Sequence, residues 1–94
     1  MRVVWTRQAK DDLRAAGLWI AQDSPQAAVA VVQRIRRSAA TLGQQPGLGR
    51  PGRVEGTREL VVARTPYLVP YRVAADRIEV LAVFHAARDW PETL

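Results

Sequence analysis

The sequence has no cysteine, a single histidine and a single lysine. Without cysteine the chain can form no disulfide and offers no thiolate ligand to a metal. One histidine is too few for a zinc site, so we expect neither a metal nor another cofactor. No apolar run is long enough to cross a membrane, and the N-terminal residues lack the apolar core of a secretory signal peptide. A cytoplasmic protein without membrane contact is therefore predicted.

Arginine supplies 13 of the 14 basic residues, with Lys10 the only lysine. Against nine acidic residues they give a formal net charge of +5 and a pI near 11.0. The guanidinium group makes bidentate contacts with phosphate and carboxylate, so the charge favours nucleic acid or an acidic protein as a partner. The alternative explanation is a bias of the whole proteome towards arginine and alanine.

Length and composition predict a single domain over residues 1–94. The chain has 48% hydrophobic and 24% charged residues, the ordinary balance of a globular protein with one modest core. A domain of this size is marginally stable alone, so a bound partner can supply part of its working stability.

A short strand and a first helix are predicted at the start of the chain. The apolar run Arg2–Trp5 is typical of a strand, and Thr6 is placed to cap a helix that ends at about Gln22. Leu18 and Trp19 are expected to widen the buried stripe of this helix, which consists of Ala9, Leu13, Ala16 and Ile20. The charged residues between them are expected on the solvated face: Lys10, Asp11, Asp12 and Arg14.

Ser24 and Pro25 mark the start of a second helix. Serine is a favoured N-cap, and proline fits the first helical position, where its missing N–H is not needed. The helix is predicted to end at about Leu42, before Gly43 as C-cap, with a buried stripe of its own: Ala28, Val31, Val32, Ile35, Ala39 and Leu42. Because few residues separate the two helices, they should form an antiparallel hairpin.

Residues 44–56 are rich in glycine and proline and have no hydrophobic periodicity. They are predicted to form a surface loop rather than an interdomain linker, because too little chain follows for a second domain. Arg50 and Arg53 in this loop are candidate substrate-binding residues.

The C-terminal part of the chain holds three apolar runs and predicts a three-stranded antiparallel meander. Two-residue turns at 65–66 and 75–76 would place Arg72 between Glu59 and Glu79, an electrostatically favourable cross-strand triplet. Arg72 is therefore interpreted as a structural partner of the two glutamates rather than as a phosphate ligand.

Counting along these strands separates two faces of the sheet. One is uniformly apolar or aromatic and should pack on the helix hairpin: Leu60, Val62, Tyr67, Val69, Tyr71, Val73, Ile78, Val80, Ala82 and Phe84. The other, called the mixed face, is predicted to carry Glu59, Val61, Ala63, Leu68, Pro70, Arg72, Glu79, Leu81, Val83 and His85. Pro70 lacks the N–H that a central strand needs, so a bulge or a gap in the ladder is expected beside it.

The chain resembles the RelE/ParE superfamily of type II toxin–antitoxin toxins in three stretches: GRPGRVEGTRELVV, TPYLVPYRV and RIEVLAVFHAARDWP. The resemblance covers nearly the whole chain in order, spacing and length. It implies an α+β fold in which an N-terminal strand precedes an antiparallel helix hairpin packed on a C-terminal three-stranded antiparallel meander. It also implies a growth-inhibiting toxin held in a hetero-oligomer by a cognate acidic antitoxin, which would wrap the mixed face.

Two activities follow from the resemblance. Members similar to RelE are ribosome-dependent mRNA endonucleases, whereas members similar to ParE poison DNA gyrase. The basic strand residues of RelE fall here on Glu59, Val61 and Leu68, and its last arginine falls on Ala86, or on Arg88 if a gap is allowed. Metal-independent mRNA cleavage is the first interpretation and gyrase inhibition the second. An inactive nucleic-acid-binding or protein-binding module is the third.

His85 is the candidate acid or base for RNA cleavage, because it titrates near neutral pH and stands at the end of the last predicted strand. Its position is similar to that of a C-terminal histidine in the YoeB-like and YafQ-like branches, although ParE-like toxins also have one. Arg64 and Arg88 are candidates to stabilise a charged phosphate, and Trp90 is a candidate to stack on a base. The structural alternatives are a strand-end histidine bonded to backbone, arginines on a solvated rim and a tail tryptophan packed on the domain edge.

Overall fold

Two helices pack on a mixed sheet, in agreement with the predicted α+β fold. The structure is a computed structural model that describes residues 1–88. Its elements follow in the order β1 (Arg2–Trp5), α1 (Arg7–Ala21), α2 (Pro25–Ala40), a 3₁₀ turn (Thr41–Gly43), β2 (Arg50–Pro51), β3 (Arg58–Val61), β4 (Tyr67–Val73), β5 (Arg77–Val80) and β6 (Phe84–His85). Neither helix in this part of the chain is long and apolar enough to span a membrane.

Side-chain caps start both helices where the sequence predicts them. The Thr6 hydroxyl accepts a hydrogen bond from the backbone N–H of Ala9 at 3.1 Å, and the Ser24 hydroxyl accepts one from Ala27 at 3.1 Å. The second helix ends at Ala40 with Thr41 as its C-cap and tightens into the 3₁₀ turn, which includes Gly43; the predicted end at about Leu42 and the predicted cap at Gly43 are therefore wrong by about two residues.

The helices contact each other closely where α1 has a glycine. A methyl group on Gly17 would lie 3.2 Å from Cγ2 of Val32, so a larger side chain would push the helices apart. The prediction that Leu18 and Trp19 widen the buried stripe is wrong, because they are 63% and 55% exposed. Leu18 lies about 200° around the helix from the buried Ala16, and Trp19 lies at the border of the stripe.

The sheet has the strand order β1-β5-β4-β3-β2, and β6 also pairs with β4. The pair β1–β5 is parallel, whereas the other pairs are antiparallel. Among the described strands, β1 therefore forms one edge and β2 the other. The segment predicted as an unstructured loop contributes β2, in which Arg50 lies opposite Glu59.

The pairing of β4 with β5 follows the predicted turn, with Arg72 opposite Glu79. The predicted pairing of β3 with β4 is wrong by two residues, because Glu59 lies opposite Pro70 and not opposite Arg72. A shift of two residues leaves every side chain on the same side of the sheet. The face assignment of these two strands therefore survives the error, while the Glu59–Arg72 pair does not.

A longer loop, residues 63–66, replaces the predicted two-residue turn between β3 and β4. Thr65 closes it, since its hydroxyl donates to the carbonyl of Val62 at 3.0 Å and accepts from the N–H of Tyr67 at 3.1 Å. Arg64, at the tip of the loop, has a φ of 65°, in the left-handed region that few residues other than glycine occupy.

The core lies between the helices and one face of the sheet. It includes side chains from both helices and from all three central strands, and Ile35, Tyr71, Ile78 and Val80 are fully buried in it. Val73, which is predicted in the core, is 41% exposed at the end of β4.

The strand phase changes by one residue between β5 and β6. Val80 lies opposite Tyr71, and Phe84 lies opposite Leu68, so three residues of the last segment face two residues of β4. This is the bulge expected beside Pro70. Its consequence was not predicted: the side chains after the bulge exchange faces.

The face assignment is consequently wrong for the residues that follow β5. Val83 belongs to the core beneath the helices, while Ala82 and Phe84 pack with Leu68 on the mixed face. His85 stands on the helix side of the sheet, opposite Tyr67. A period of two cannot be carried through a bulge, because one inserted residue reverses the direction of every later side chain.

Candidate functional site

His85 lies on β6 beside Tyr67 and not on the mixed face. The two rings meet edge to face, with 5.4 Å between their centroids and an interplanar angle of 80°. Nδ1 of His85 accepts a hydrogen bond from the backbone N–H of Ala87 at 3.1 Å. The neutral imidazole therefore carries its proton on Nε2, which has no hydrogen-bond partner within residues 1–88.

Arg64 and Arg88 share the end of the sheet with His85, but within residues 1–88 neither side chain bonds to its ring; the backbone N–H of Arg88 donates to the carbonyl of His85 at 3.1 Å. The backbone N–H of Ala86 donates to the carbonyl of Pro66 at 2.8 Å, which brings the last segment against the loop that carries Arg64. Within residues 1–88, no hydrogen bond or ion pair joins the side chains of the three predicted catalytic residues.

Arg88 packs against helix α1. Its guanidinium carbon lies 4.5 Å from the ring centroid of Trp19, a cation–π contact between two exposed side chains. The sequence does not predict this contact, because Trp19 is assigned there to the buried stripe. The indole therefore supports the C-terminal segment and is not a part of the core.

Arg50 and Arg53 surround a buried carboxylate. Glu59 is 3% exposed; its Oε1 accepts from Nη2 of Arg50 at 3.3 Å, and its Oε2 accepts from the backbone N–H of Arg53 at 3.0 Å. This pair replaces the predicted contact between Glu59 and Arg72. The Arg50 side chain is 54% exposed and remains accessible to a ligand. Trp90, the third predicted substrate-binding residue, lies outside the described residues.

The glycine-rich loop is anchored to the sheet by a buried tyrosine. The hydroxyl of Tyr71 donates to the carbonyl of Pro46 at 2.7 Å and accepts from the N–H of Gly49 at 2.8 Å. Gly49 is required at this position, because a Cβ there would lie 2.6 Å from the Tyr71 ring. The loop that carries Arg50 and Arg53 is therefore held in a defined position against β3.

A Tyr71→Phe substitution should lower the free energy of unfolding by about 1–3 kcal/mol, because the buried N–H of Gly49 loses its acceptor. Tyr67→Phe is the matched control, since the Tyr67 hydroxyl has no hydrogen bond within residues 1–88. Urea denaturation followed by fluorescence measures both variants. Equal losses would contradict the anchoring role of Tyr71.

Arg72 and Arg77 clamp Glu79 on the sheet. Arg72 Nε lies 3.1 Å from one carboxylate oxygen and Arg77 Nη2 lies 2.9 Å from the other. These hydrogen bonds, with that of Arg72 the larger effect, hold the pKa of Glu79 below its ordinary value. Arg72 thus has a structural partner in Glu79. Of the two pairs that the sequence predicts for Arg72, the one with Glu79 is confirmed and the one with Glu59 is not.

The Glu79 cluster should make stability depend on pH in the acid range. A carboxyl whose pKa is lower in the folded chain stabilises the fold above its unfolded pKa and loses this contribution as the pH falls through the folded value. The stability difference between the native protein and Glu79→Gln should therefore shrink as the pH drops below about 4. Thermal unfolding at several pH values measures it, with the exposed Glu55→Gln as the control. A difference independent of pH would contradict the clamp.

Thr6, the N-cap of α1, and Asp12 within α1 hold the bulge between β5 and β6, and the sequence predicts neither contact. The single hydroxyl proton of Thr6 is shared between the carbonyls of Val80 at 2.9 Å and Leu81 at 3.2 Å. Oδ2 of Asp12 accepts from the N–H of Val83 at 3.1 Å. The sequence assigns Asp12 to the solvated face together with Asp11, although helical spacing separates the two. Asp12 lies three residues after Ala9 and four before Ala16, beside the buried stripe, whereas Asp11 lies about 200° around the helix from Ala9.

An open groove of about 890 Å³ lies between β1 and the two helices. We call it the basic groove, because four cations line it and no acidic residue does: Arg2, Lys10, Arg14 and Arg36. Its apolar lining includes Val3, Trp5, Leu13, Leu18, Val29 and Val32. None of the four cations forms an ion pair with a carboxylate in the described part of the chain. The outer edge of β1 borders the groove and is unpaired among the described strands.

Comparison with known proteins identifies the family. The family of the ParE toxin of the type II toxin–antitoxin system parDE matches residues 3–90. The chain belongs to this family. The resemblance predicted from the sequence is confirmed.

Relatives of this ParE-family toxin match along nearly its whole length. It is 45% identical over 93 residues to putative toxin Y4kP of Sinorhizobium fredii, and the matched region covers 99% of this chain and 96% of that protein. It is 39% identical over 87 residues to toxin RelE2 of Caulobacter vibrioides, with coverage of 93% and 97%.

Two solved structures share the fold of this toxin. The chromosomal ParDE toxin–antitoxin system of P. aeruginosa matches with a TM-score of 0.82 and 34% identity, covering 90% of this chain and 95% of that one. The RelBE2 toxin–antitoxin complex of Mycobacterium tuberculosis matches with a TM-score of 0.58 and 28% identity, covering 89% and 95%.

Proposed function

We propose that this ParE-family toxin stops bacterial growth by inhibiting DNA gyrase and that an acidic antitoxin neutralises it. The observation that carries the choice of target is the environment of His85. Nδ1 of the ring is used by a backbone N–H, and neither Arg64 nor Arg88 bonds to the ring within residues 1–88. Of the two solved structures, the ParDE system superposes better, with a TM-score of 0.82 against 0.58 for the RelBE2 complex, which supports the same choice.

RNA cleavage makes demands that these residues do not meet together. A base must take the proton of the 2′-hydroxyl while cations stabilise the charged phosphate and an acid protonates the leaving oxygen. Arg88 is stacked on Trp19, and the strand positions at which RelE-like toxins are basic hold Glu59, Val61 and Leu68. Inhibition of a protein target needs only a contact surface, to which exposed arginines and an exposed tryptophan are well suited.

Ribosome-dependent mRNA cleavage is the second candidate function. It is favoured by Nε2 of His85, which has no hydrogen-bond partner among the described residues and could exchange a proton with a substrate. The cations that RelE-like toxins carry on their strands would then have to come from Arg64, Arg88 and the ribosome itself.

Two assays separate the two functions: DNA supercoiling by gyrase in the presence of purified toxin, and mapping of mRNA 5′ ends in bacteria in which the toxin is induced. We expect purified toxin to block supercoiling by gyrase or to accumulate cleaved DNA, with mRNA 5′ ends unchanged in induced cells. Codon-linked 5′ ends that disappear in His85→Ala, with gyrase unaffected, would establish mRNA cleavage instead. A chain that harms no host, with or without the neighbouring gene, would be an inactive binding module and would overturn both proposals.

The antitoxin is proposed to dock in the basic groove and not on the mixed face. The groove combines an apolar lining with four cations that have no carboxylate partner within residues 1–88, which suits an acidic amphipathic segment. The outer edge of β1, unpaired among the described strands, can also pair with an added strand. On the mixed face, Glu59, Leu68, Pro70 and Phe84 are already buried in the toxin itself, which leaves less apolar surface for a partner.

A further inference from the structure

The ladder between β4 and the last segment breaks at Pro70. In a regular antiparallel pair, Pro70 and Leu81 would exchange two hydrogen bonds. Leu81 donates its N–H to the carbonyl of Pro70 at 2.9 Å, but Pro70 has no N–H to return. The carbonyl of Leu81 therefore needs a donor from elsewhere, and the buried N–H of Val83 needs an acceptor once the chain leaves the ladder.

Helix α1 and its N-cap supply both groups. The single hydroxyl proton of Thr6 is shared between the carbonyls of Val80 at 2.9 Å and Leu81 at 3.2 Å, and so reaches the carbonyl left by the missing proline N–H. The carboxylate of Asp12 accepts from Val83 at 3.1 Å, in the place of the carbonyl that a continued ladder would offer. Gln8 donates to the other Asp12 oxygen at 2.9 Å and so fixes the orientation of the carboxylate. A hydrogen bond to a charged acceptor is stronger than one between neutral groups.

The carboxylate thereby selects between two faces of the sheet for His85. In the regular register Val83 would lie opposite Leu68, and His85 would stand on the mixed face. With Val83 held by Asp12, Leu68 lies opposite Phe84, and His85 lies opposite Tyr67. We propose that Asp12 is a positioning residue, which holds Val83 out of the ladder and so determines the face on which His85 stands.

The same displacement carries Arg88 towards helix α1. Arg88 follows His85 by three residues, and its guanidinium contacts Trp19, which lies two turns along α1 from Asp12. Asp12 and Trp19 thus hold the two ends of the segment 83–88 on α1. The effect of Asp12 on toxicity rests on the proposed function, in which the exposed residues of this segment contact the target; its effect on the position of the segment does not.

Three variants test the position directly: Asp12→Ala, Asp12→Asn and Asp11→Ala. Asp11 is the matched control, because it is the adjacent aspartate, is exposed, and its side chain forms no hydrogen bond with another described residue. In Asp12→Ala, we expect loss of the nuclear Overhauser contacts between the Tyr67 and His85 rings, and a fall of at least about tenfold in the exchange protection of the Val83 amide. Asp12→Asn keeps a neutral acceptor and should retain the ring contacts. Asp11→Ala should match the native protein.

The proposal is overturned if Asp12→Ala keeps both the ring contacts and the native protection of Val83. If Asp12→Ala does not fold, the exchange protection of the Val83 amide in Asp12→Asn decides. A fall of several fold would support the proposal, because the charged acceptor has been replaced by a neutral one. Protection equal to that of the native protein would overturn it. Growth inhibition is scored separately. Displaced ring contacts with full toxicity would leave the positioning role of Asp12 in place and would refute the proposed use of the segment against the target.

Discussion

A toxin with Lys10→Glu and Arg14→Glu should fold and inhibit growth, but its antitoxin should no longer neutralise it. Both side chains line the basic groove, and neither has a carboxylate partner within residues 1–88. Two reversals would set negative charges against an acidic segment and remove two attractive contacts. A loss of at least about 2 kcal/mol, roughly 30-fold in Kd, is expected for groups at the centre of such an interface.

The matched control is the double variant Arg34→Glu, Arg37→Glu. These residues lie on α2, are exposed and do not line the groove, so the same change in net charge is made elsewhere on the helix hairpin. Calorimetric titration with the acidic antitoxin encoded by the neighbouring gene gives Kd, and co-expression of the two proteins shows whether growth is rescued. Equal losses in the two double variants would indicate general electrostatic attraction. No loss in either would direct the search for the antitoxin back to the mixed face.

Ile35→Ala should lower the free energy of unfolding by about 2–5 kcal/mol. Ile35 is fully buried on α2, and its removal would leave a cavity between the helices and the sheet. The free energy of unfolding of a small domain is typically only about 5–15 kcal/mol. This variant should therefore be partly unfolded near the growth temperature of its host. Urea denaturation measures the loss directly.

Val29→Ala is the control on the same helix, because Val29 is 58% exposed. It should change stability little, since alanine favours the helix and almost no buried contact is lost. Similar losses at the two positions would show that α2 is not packed as described. A ligand that binds only the native state stabilises it by mass action, so an excess of antitoxin should restore much of the midpoint lost in Ile35→Ala.

Local signals made the helices predictable from the sequence. Thr6, Ser24 and Pro25 are caps whose effect depends on the next three residues, and both helices begin where these residues place them. The turn between β4 and β5 is equally local, and the pairing of Arg72 with Glu79 follows from it. The buried stripes follow from helical spacing alone. The family resemblance rests on this same order of elements.

The functional site depends on side-chain hydrogen bonds and on a backbone conformation that residue spacing does not predict. The β3–β4 loop is closed by the Thr65 side chain and by a left-handed Arg64, and neither feature follows from a count of turn residues. The face of His85 depends on Asp12, which belongs to another element. The same is true of the buried Glu59, whose side-chain partner Arg50 lies on β2. A period of two predicts the sheet, but tertiary hydrogen bonds decide where its last residues point.

The parallel pairing of β1 with β5 has a consequence for how the toxin is made. Strand β1 is synthesised before the other described strands and finds its partner only after β5 has been made, near the opposite end of the described chain. Pairing of segments so distant in sequence raises the relative contact order and slows folding. Helix α1, which carries Asp12, is connected directly to this late-pairing strand. The parallel pair should therefore form late in the folding of the toxin, and an antitoxin already present in the cell has that interval in which to capture it.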